Sequence, residues 1–247
     1  MSLTPPPRAI EDCLTSHFRS GDRIRSRSVS DTVLSAVLDV PVPPPRIVAD
    51  WDREIASRLF LDPGDVEPMP LARTRARWQD YPRCVQAMRE WTHALGLPGI
   101  LDGSEMALMA CRGARYHHDG AHYGDKAFCN LFLSEDKGLD VHFPAMGRRI
   151  PLTRGTALIF DTGQPHGVVR RGGDAFDMAD FASGRDATQL FLSWELPVED
   201  ADLGSALGIV FDLISRLSPL PASADEEGIL LNGEPALVCP DSGLWRR

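Results

Sequence analysis

The alternation of apolar and polar positions divides the chain near residue 105. Before that point, apolar residues recur at steps of three and four. In WQDYPRCVQAMREWTHALG, at 78–96, Tyr81, Val85, Met88, Trp91, Thr92 and Leu95 form one stripe, and Gly96 ends it. This predicts a helix packed by one face against a core. PRIVADWDREIASRLF, at 45–60, predicts another. Beyond 105, short apolar runs alternate with Gly, Pro, Asp and Asn. Strands are predicted at 105–111, 114–119, 126–134, 139–143, 156–160, 166–171 and 188–196. Short strands in series without intervening helices predict an antiparallel sandwich or barrel. A helix near 203–217 and a hairpin in ILLNGEPALV, turning at Asn232-Gly233, complete the pattern.

Residues 1–45 break it. TPPP opens this stretch, PVPPP closes it, and the basic-polar RSGDRIRSRSVSD lies between. Proline has no backbone donor for a helix or ladder, so extended connectors are expected here. The organisation is then an N-terminal extension with supporting helices (1–104), a β core (105–198) and a C-terminal helix and tail (199–247), together one compact domain.

Composition narrows the function classes. A chain of 247 residues, 43% hydrophobic, buries a substantial core. A net charge of -9 speaks against nucleic acid or an anionic membrane as partner. No apolar run approaches the roughly 20 residues of a membrane-spanning helix. The opening MSLTPPPRAIEDC lacks the basic-then-apolar order of a secretion signal. Cysteines 13, 84, 111, 129 and 239 form no CxxC pair. A reduced, cytoplasmic chain is expected, without a disulfide frame or cysteine zinc site.

Five of the 7 histidines fall between 117 and 166, three of them in ARYHHDGAHYG. If 114–119 is a strand, His117 and Asp119 share a face and can reach one ion, while His118 points away. His118 and His122 are read as structural or surface residues. A third ligand must come from elsewhere, and His166 stands at the start of a later apolar strand. Two imidazoles and one carboxylate leave three sites open on an octahedral ion, which suits Fe(II) chemistry with oxygen and a cosubstrate.

With those residues in hand, the chain resembles the Fe(II)/2-oxoglutarate-dependent dioxygenases, in particular their prolyl-hydroxylase-like branch. YHHDG is followed by FCNLFLSEDKGLDVHFPAMG and then IPLTRGTALIFDTGQPHGV, with Gly155, Phe160 and His166 in the family's order. The likeness covers about 105–196. It implies an α+β fold with a mainly β core: a double-stranded β-helix, or jelly-roll, with supporting N-terminal helices. It implies Fe(II) on His117, Asp119 and His166, and 2-oxoglutarate as cosubstrate, converted to succinate and CO2. The implied reaction is O2-dependent hydroxylation of an unactivated C–H in an amino acid, peptide or small metabolite. Related halogenases replace the carboxylate by a small residue to admit halide, so Asp119 implies hydroxylation or another oxidation.

The 5-carboxylate of 2-oxoglutarate needs a buried cation, best a bidentate arginine. The family places it as R-x-S or R-x-A on the strand after the distal histidine. Arg185-x-Ala187 fits that short pattern, although it lies further on than most relatives place it, beyond RRGGDAFDMADFASG. Arg170, with the strand parity of His166, and Lys126 are the alternatives. Asn130 shares a face with Phe128 and Phe132 and is expected either to bind the cosubstrate or to be a satisfied polar residue at a bulge. His142 is expected to face the same cavity, His122 and Tyr123 to lie in a mobile loop near the metal, and 172–187 to form a lid. Two other readings stay open. A cupin using His117, His122, His166 and an acid needs an H-x-H followed by a glutamate, which HHDGAHYGDK lacks. The other is a barrel that binds without turnover.

Overall fold

Where connectors are expected, the computed structural model has strands: β1 (Leu14–Ser20), β2 (Arg23–Ser28) and β3 (Val33–Val37). It describes residues 14–59, 61–173, 175–181, 186–213 and 228–246. The basic-polar patch is a hairpin that turns at Gly21, with φ +60. Its strands escape pattern reading because their buried positions include Ser16, His17 and Arg27 beside Phe18. β3 becomes an edge of the main sheet, paired with residues 156–160.

The helices follow as α1 (Pro45–Arg58), α2 (Leu71–Arg77) and α3 (Tyr81–Ala94), with β4 (Val66–Met69) between the first two. Of the predicted stripe of α3, Tyr81, Met88 and Thr92 are buried along with Cys84, Val85 and Trp91 are half-buried, and Leu95 lies past the helix, exposed.

The core strands are β5 (Met106–Cys111), β6 (Ala114–His117), β7 (Lys126–Phe132), β8 (Leu139–Phe143), β9 (Arg148–Pro151), β10 (Thr156–Asp161), β11 (His166–Arg170) and β12 (Gln189–Pro197). One sheet has the order β3-β10-β7-β12-β5-β4, and the facing sheet has the order β6-β11-β8-β9. The pairings within both are antiparallel. From β5 to β12 the chain steps back and forth between the sheets, with β8 and β9 as the one hairpin within a sheet. That winding is a double-stranded β-helix, and the fold is α+β with a mainly β core.

Period-two alternation sets the layers. On β12, Leu190, Leu192, Trp194 and Leu196 face the helices and pack in one cluster with Ile47, Trp51 and Met88. Phe191 faces the barrel interior and packs with Phe132, Leu158 and Phe160. Each such side chain, fully buried, contributes about 1.5–3 kcal/mol. Where β10 begins, Gly155 has φ +86, and a Cβ there would lie 2.0 Å from the Leu38 carbonyl oxygen. Only glycine allows that approach.

The C-terminal helix is shorter than its apolar pattern. α4 (Ala201–Leu207) is capped by the Asp200 carboxylate, which accepts from the backbone N–H groups of Asp202 and Leu203. Gly208, with φ 67, ends it, and positions 214–217 of the expected helix lie outside the described residues. The tail supplies β13 (Gly228–Leu231), β14 (Glu234–Pro235), β15 (Leu237–Val238) and β16 (Trp245–Arg246). The Asn232-Gly233 turn has φ 55 and 86 and joins β13 to β14, as its sequence predicts. β13 pairs with β1, so the first described strand and a strand of the tail share a sheet.

Of the stretch expected as a lid, residues 174 and 182–185 lie outside the described residues. Phe181 is fully buried and stacks on Phe176 against the start of β6, the end of the barrel away from His117. It plugs that end. No helix among the described residues is long and apolar enough to cross a membrane. Cys84, Cys111, Cys129 and Cys239 are free thiols, and Cys13 lies outside the described residues.

Candidate metal centre

β6 ends at His117, so Asp119 is placed by a turn and not by strand parity. The Asp119 N–H donates to Thr162 O at 2.8 Å, and its carbonyl accepts from the N–H groups of His122 and Tyr123. Thr162 is fixed in its own right, its hydroxyl donating to the carbonyls of Tyr123 and Lys126. His166 opens β11 directly opposite His117, with their rings 4.5 Å apart. Sequence distance hides this, since the two strands are neighbours in the smaller sheet.

The two imidazoles are held alike. His117 Nδ1 lies 2.7 Å from Arg115 O, and His166 Nδ1 lies 3.0 Å from Gln164 O. A carbonyl only accepts, so each Nδ1 carries the proton and donates it. That leaves the Nε2 lone pairs facing inward. His117 Nε2 is 3.6 Å from Asp119 Oδ1, and His166 Nε2 is 3.5 Å from Asp119 Oδ2. One ligand atom from each of the three residues lies within 4.8 Å of the others. Burial, and next the neighbouring His117, lower the His166 pKa to about 4, which keeps that ring neutral and ready to ligate. Acceptors converging without a proton between them repel unless a cation sits among them. The donor set therefore fits a divalent metal ion.

The cluster opens on a cavity of about 340 Å³ inside the barrel. Its walls are largely apolar, with Phe128, Phe132, Val141, Leu158, Phe160 and Phe191 among them. Asn130 and Ser193, paired across β7 and β12, supply polar groups there. Asn130 is 7% exposed, lines the cavity, and its Oδ1 is buried without a hydrogen-bond partner among the described residues.

The remaining candidates fall elsewhere. Arg170 is exposed at the far end of β11, beyond the cavity, so its parity matches His166 but its position does not. Lys126 pairs with Asp125 at 2.7 Å and lines an outer groove, not the metal cavity. His142 does not face the cavity. It lies on the opposite face of β8 from Val141, with Nδ1 2.6 Å from Tyr116 Oη. His118 packs against Trp245, 5.3 Å between rings, and His122 is exposed. Arg185 lies outside the described residues. No lysine or arginine among the described residues lines the metal cavity.

Sequence reasoning overlooked the deepest ion pair near the site. Arg27 of β2 and Asp161 of β10 are both fully buried and joined by two hydrogen bonds, at 2.6 and 2.7 Å. Arg27 also donates to Gly124 O at 2.7 Å, so it ties the turn after Asp119 to the strand before Thr162. The odd arginine in RIRSRS gives no such signal, because its burial depends on a partner 134 residues away.

Solved structures similar to this chain include prolyl hydroxylases. One is a Pseudomonas putida prolyl-4-hydroxylase, 18% identical, with 67% of this chain and 92% of that chain covered and a TM-score of 0.39. Another is the collagen prolyl hydroxylase of Paramecium Bursaria Chlorella virus-1 in its 2OG complex, 12% identical, covering 67% and 94%, TM-score 0.38. A third is SnoN, a non-heme alpha ketoglutarate dependent epimerase from nogalamycin biosynthesis, 13% identical, covering 68% and 79%, TM-score 0.37. No family model and no curated protein matches the chain.

Proposed function

We propose that this protein is an Fe(II)- and 2-oxoglutarate-dependent oxygenase that hydroxylates a C–H bond of a small molecule or peptide. The observation that carries the reading is the convergence of His117 Nε2, His166 Nε2 and an Asp119 oxygen at the mouth of an apolar cavity. A facial set of two imidazoles and one carboxylate suits Fe(II) and leaves positions for a chelating oxo-acid and O2. When bound, the iron supplies oxygen activation coupled to oxidation of the oxo-acid to succinate and CO2.

The chain's own residues do the rest. The carbonyls of Arg115 and Gln164 hold both imidazoles in the ligating tautomer. Thr162 O holds the backbone of Asp119. Asn130 offers its amide to the bound oxo-acid. The aromatic walls exclude water from the reacting atoms. Asn130 and the cavity suit the chelating end of 2-oxoglutarate. The cation for its 5-carboxylate is not among the described lining residues, and Arg185, four positions before β12, is the residue we assign to it.

The test is O2-dependent succinate release by protein supplied with Fe(II) and 2-oxoglutarate. We expect release that Asp119→Ala abolishes and that Arg185→Ala shows only at higher 2-oxoglutarate. Metal binding without any 2-oxoglutarate-dependent succinate would favour the cupin reading instead.

A further inference from the structure

The sheet β14-β13-β1-β2 lays a row of side chains on the loop that carries Asp119. Ser16 on β1 is directly opposite Ile229 on β13 and Arg27 on β2, so the three project abreast from one face. Arg27 donates to Gly124 O at 2.7 Å. A Cβ on Gly124 would lie 2.9 Å from Phe18 Cβ and 3.3 Å from Ser16 Oγ. Ile229 is 3% exposed. A Cβ on Gly120 would lie 2.7 Å from its Cδ1 and 3.0 Å from Gly163 Cα, and a Cβ on Gly163 would lie 3.2 Å from the same Cδ1. Neither glycine has a left-handed backbone, so it is space that reserves both positions. Gly120 follows Asp119 and Gly163 follows Thr162. The Ile229 methyl therefore packs against the residue that follows each partner of the Asp119 N–H to Thr162 O bond, 2.8 Å long.

We propose that Ile229 is a positioning residue for the metal ligand Asp119, which makes β13 of the tail part of the metal centre. The proposal rests on the reading of His117, Asp119 and His166 as a metal site. His117 and His166 are fixed by the ladder between β6 and β11, whereas Asp119 stands beyond the end of β6. Its carboxylate goes where its backbone goes, and that backbone hangs on the bond to Thr162 O and on the turn bonds from His122 and Tyr123. A hydrogen bond between two loops keeps its geometry while the loops are pressed together. Ile229 presses them from outside, in a close-packed contact that leaves a void when it is removed. The strand is pinned in turn. Ala236 N–H donates to Ile229 O at 3.0 Å, and Trp245 packs on His118, which lies between the two ligands in sequence, with 5.3 Å between rings.

The experiment has two arms, both on the full chain. The first is calorimetric titration with Co(II). Ile229→Val deletes the Cδ1 atom alone, a change the core tolerates, and should weaken Co(II) binding about threefold. Ile229→Ala should weaken it about tenfold, as loss of an outer support of a metal ligand does. Leu231→Ala is the control: Leu231 is 6% exposed in the same apolar cluster, two positions along β13 and opposite Leu14. It should leave Co(II) affinity within about twofold of wild type, although it empties a comparable volume. The second arm is amide hydrogen exchange without metal. The Asp119 amide should exchange about tenfold faster in Ile229→Ala and at the wild-type rate in Leu231→Ala. Unchanged affinity and exchange in Ile229→Ala, or equal losses in Leu231→Ala, would make Ile229 an ordinary core residue and overturn the proposal. Wild-type protein that binds no Co(II) would refute the metal reading itself, and the exchange arm, which needs no metal, would then decide alone whether Ile229 places the Asp119 backbone.

Discussion

Replacing Arg27 by Met tests whether the buried ion pair supports the metal site from behind. Arg27 and Asp161 have fully buried side chains, and the arginine makes four hydrogen bonds: two to the Asp161 carboxylate, one to Gly124 O and one to Ser28 O. Removing one partner of a buried pair leaves an uncompensated charge and costs about 3–5 kcal/mol. Asp161 keeps the N–H donors of Ser30 and Gly163, both at 2.8 Å, so the expected cost is near the lower end, about 3 kcal/mol. The assay is urea unfolding of the metal-free protein. Adding Asp161→Asn to Arg27→Met removes the stranded charge, so the double variant should fall short of the sum of the single costs by about 2 kcal/mol. The pair braces Gly124 and the strand before Thr162, whose carbonyl holds Asp119. Co(II) affinity should therefore fall about tenfold in Arg27→Met, as it does when outer partners of metal ligands are lost. A stability loss under about 1 kcal/mol, or strict additivity in the cycle, would refute the reasoning.

Gly155→Ala should cost at least about 2 kcal/mol in the same unfolding assay, because its Cβ would meet Leu38 O at 2.0 Å and its φ is +86. An unchanged midpoint would mean that the β3–β10 edge yields easily. Asn130→Ala should raise the 2-oxoglutarate concentration for half-maximal succinate release about tenfold, the loss of about one charge-assisted hydrogen bond, with Co(II) affinity unchanged. Loss of metal binding instead would place Asn130 in the metal site's support and not in ligand binding.

The sheets were legible because their strands are short apolar runs bounded by Gly, Pro, Asp and Asn. Leu139–Phe143 is read directly from the sequence, and β7, β10 and β12 within a residue or two. α3 was legible from its stripe and its terminal glycine. The N-terminal hairpin was hidden by burial of polar groups. The β1–β2 hairpin buries Ser16, His17 and Arg27, so its apolar alternation is broken and the stretch reads as connector. The helix after 201 was overextended because apolar residues continue past Gly208, whose left-handed backbone ends it. At the site, parity pointed to His117, but Asp119 sits beyond the strand end, positioned by its hydrogen bond to Thr162. The pairing of His117 with His166 depends on strand order, which local patterning does not encode. His142 was misplaced for a simpler reason: its neighbour Val141 takes the inward face of β8.

The central claim is that His117, Asp119 and His166 hold Fe(II) with 2-oxoglutarate chelated to it. Anaerobic absorption titration tests it most directly. Protein with Fe(II) should gain a weak visible charge-transfer band as 2-oxoglutarate is added, and His166→Ala should show none while His122→Ala keeps it. Absence of the band at saturating 2-oxoglutarate, or its persistence in His166→Ala, would contradict the account.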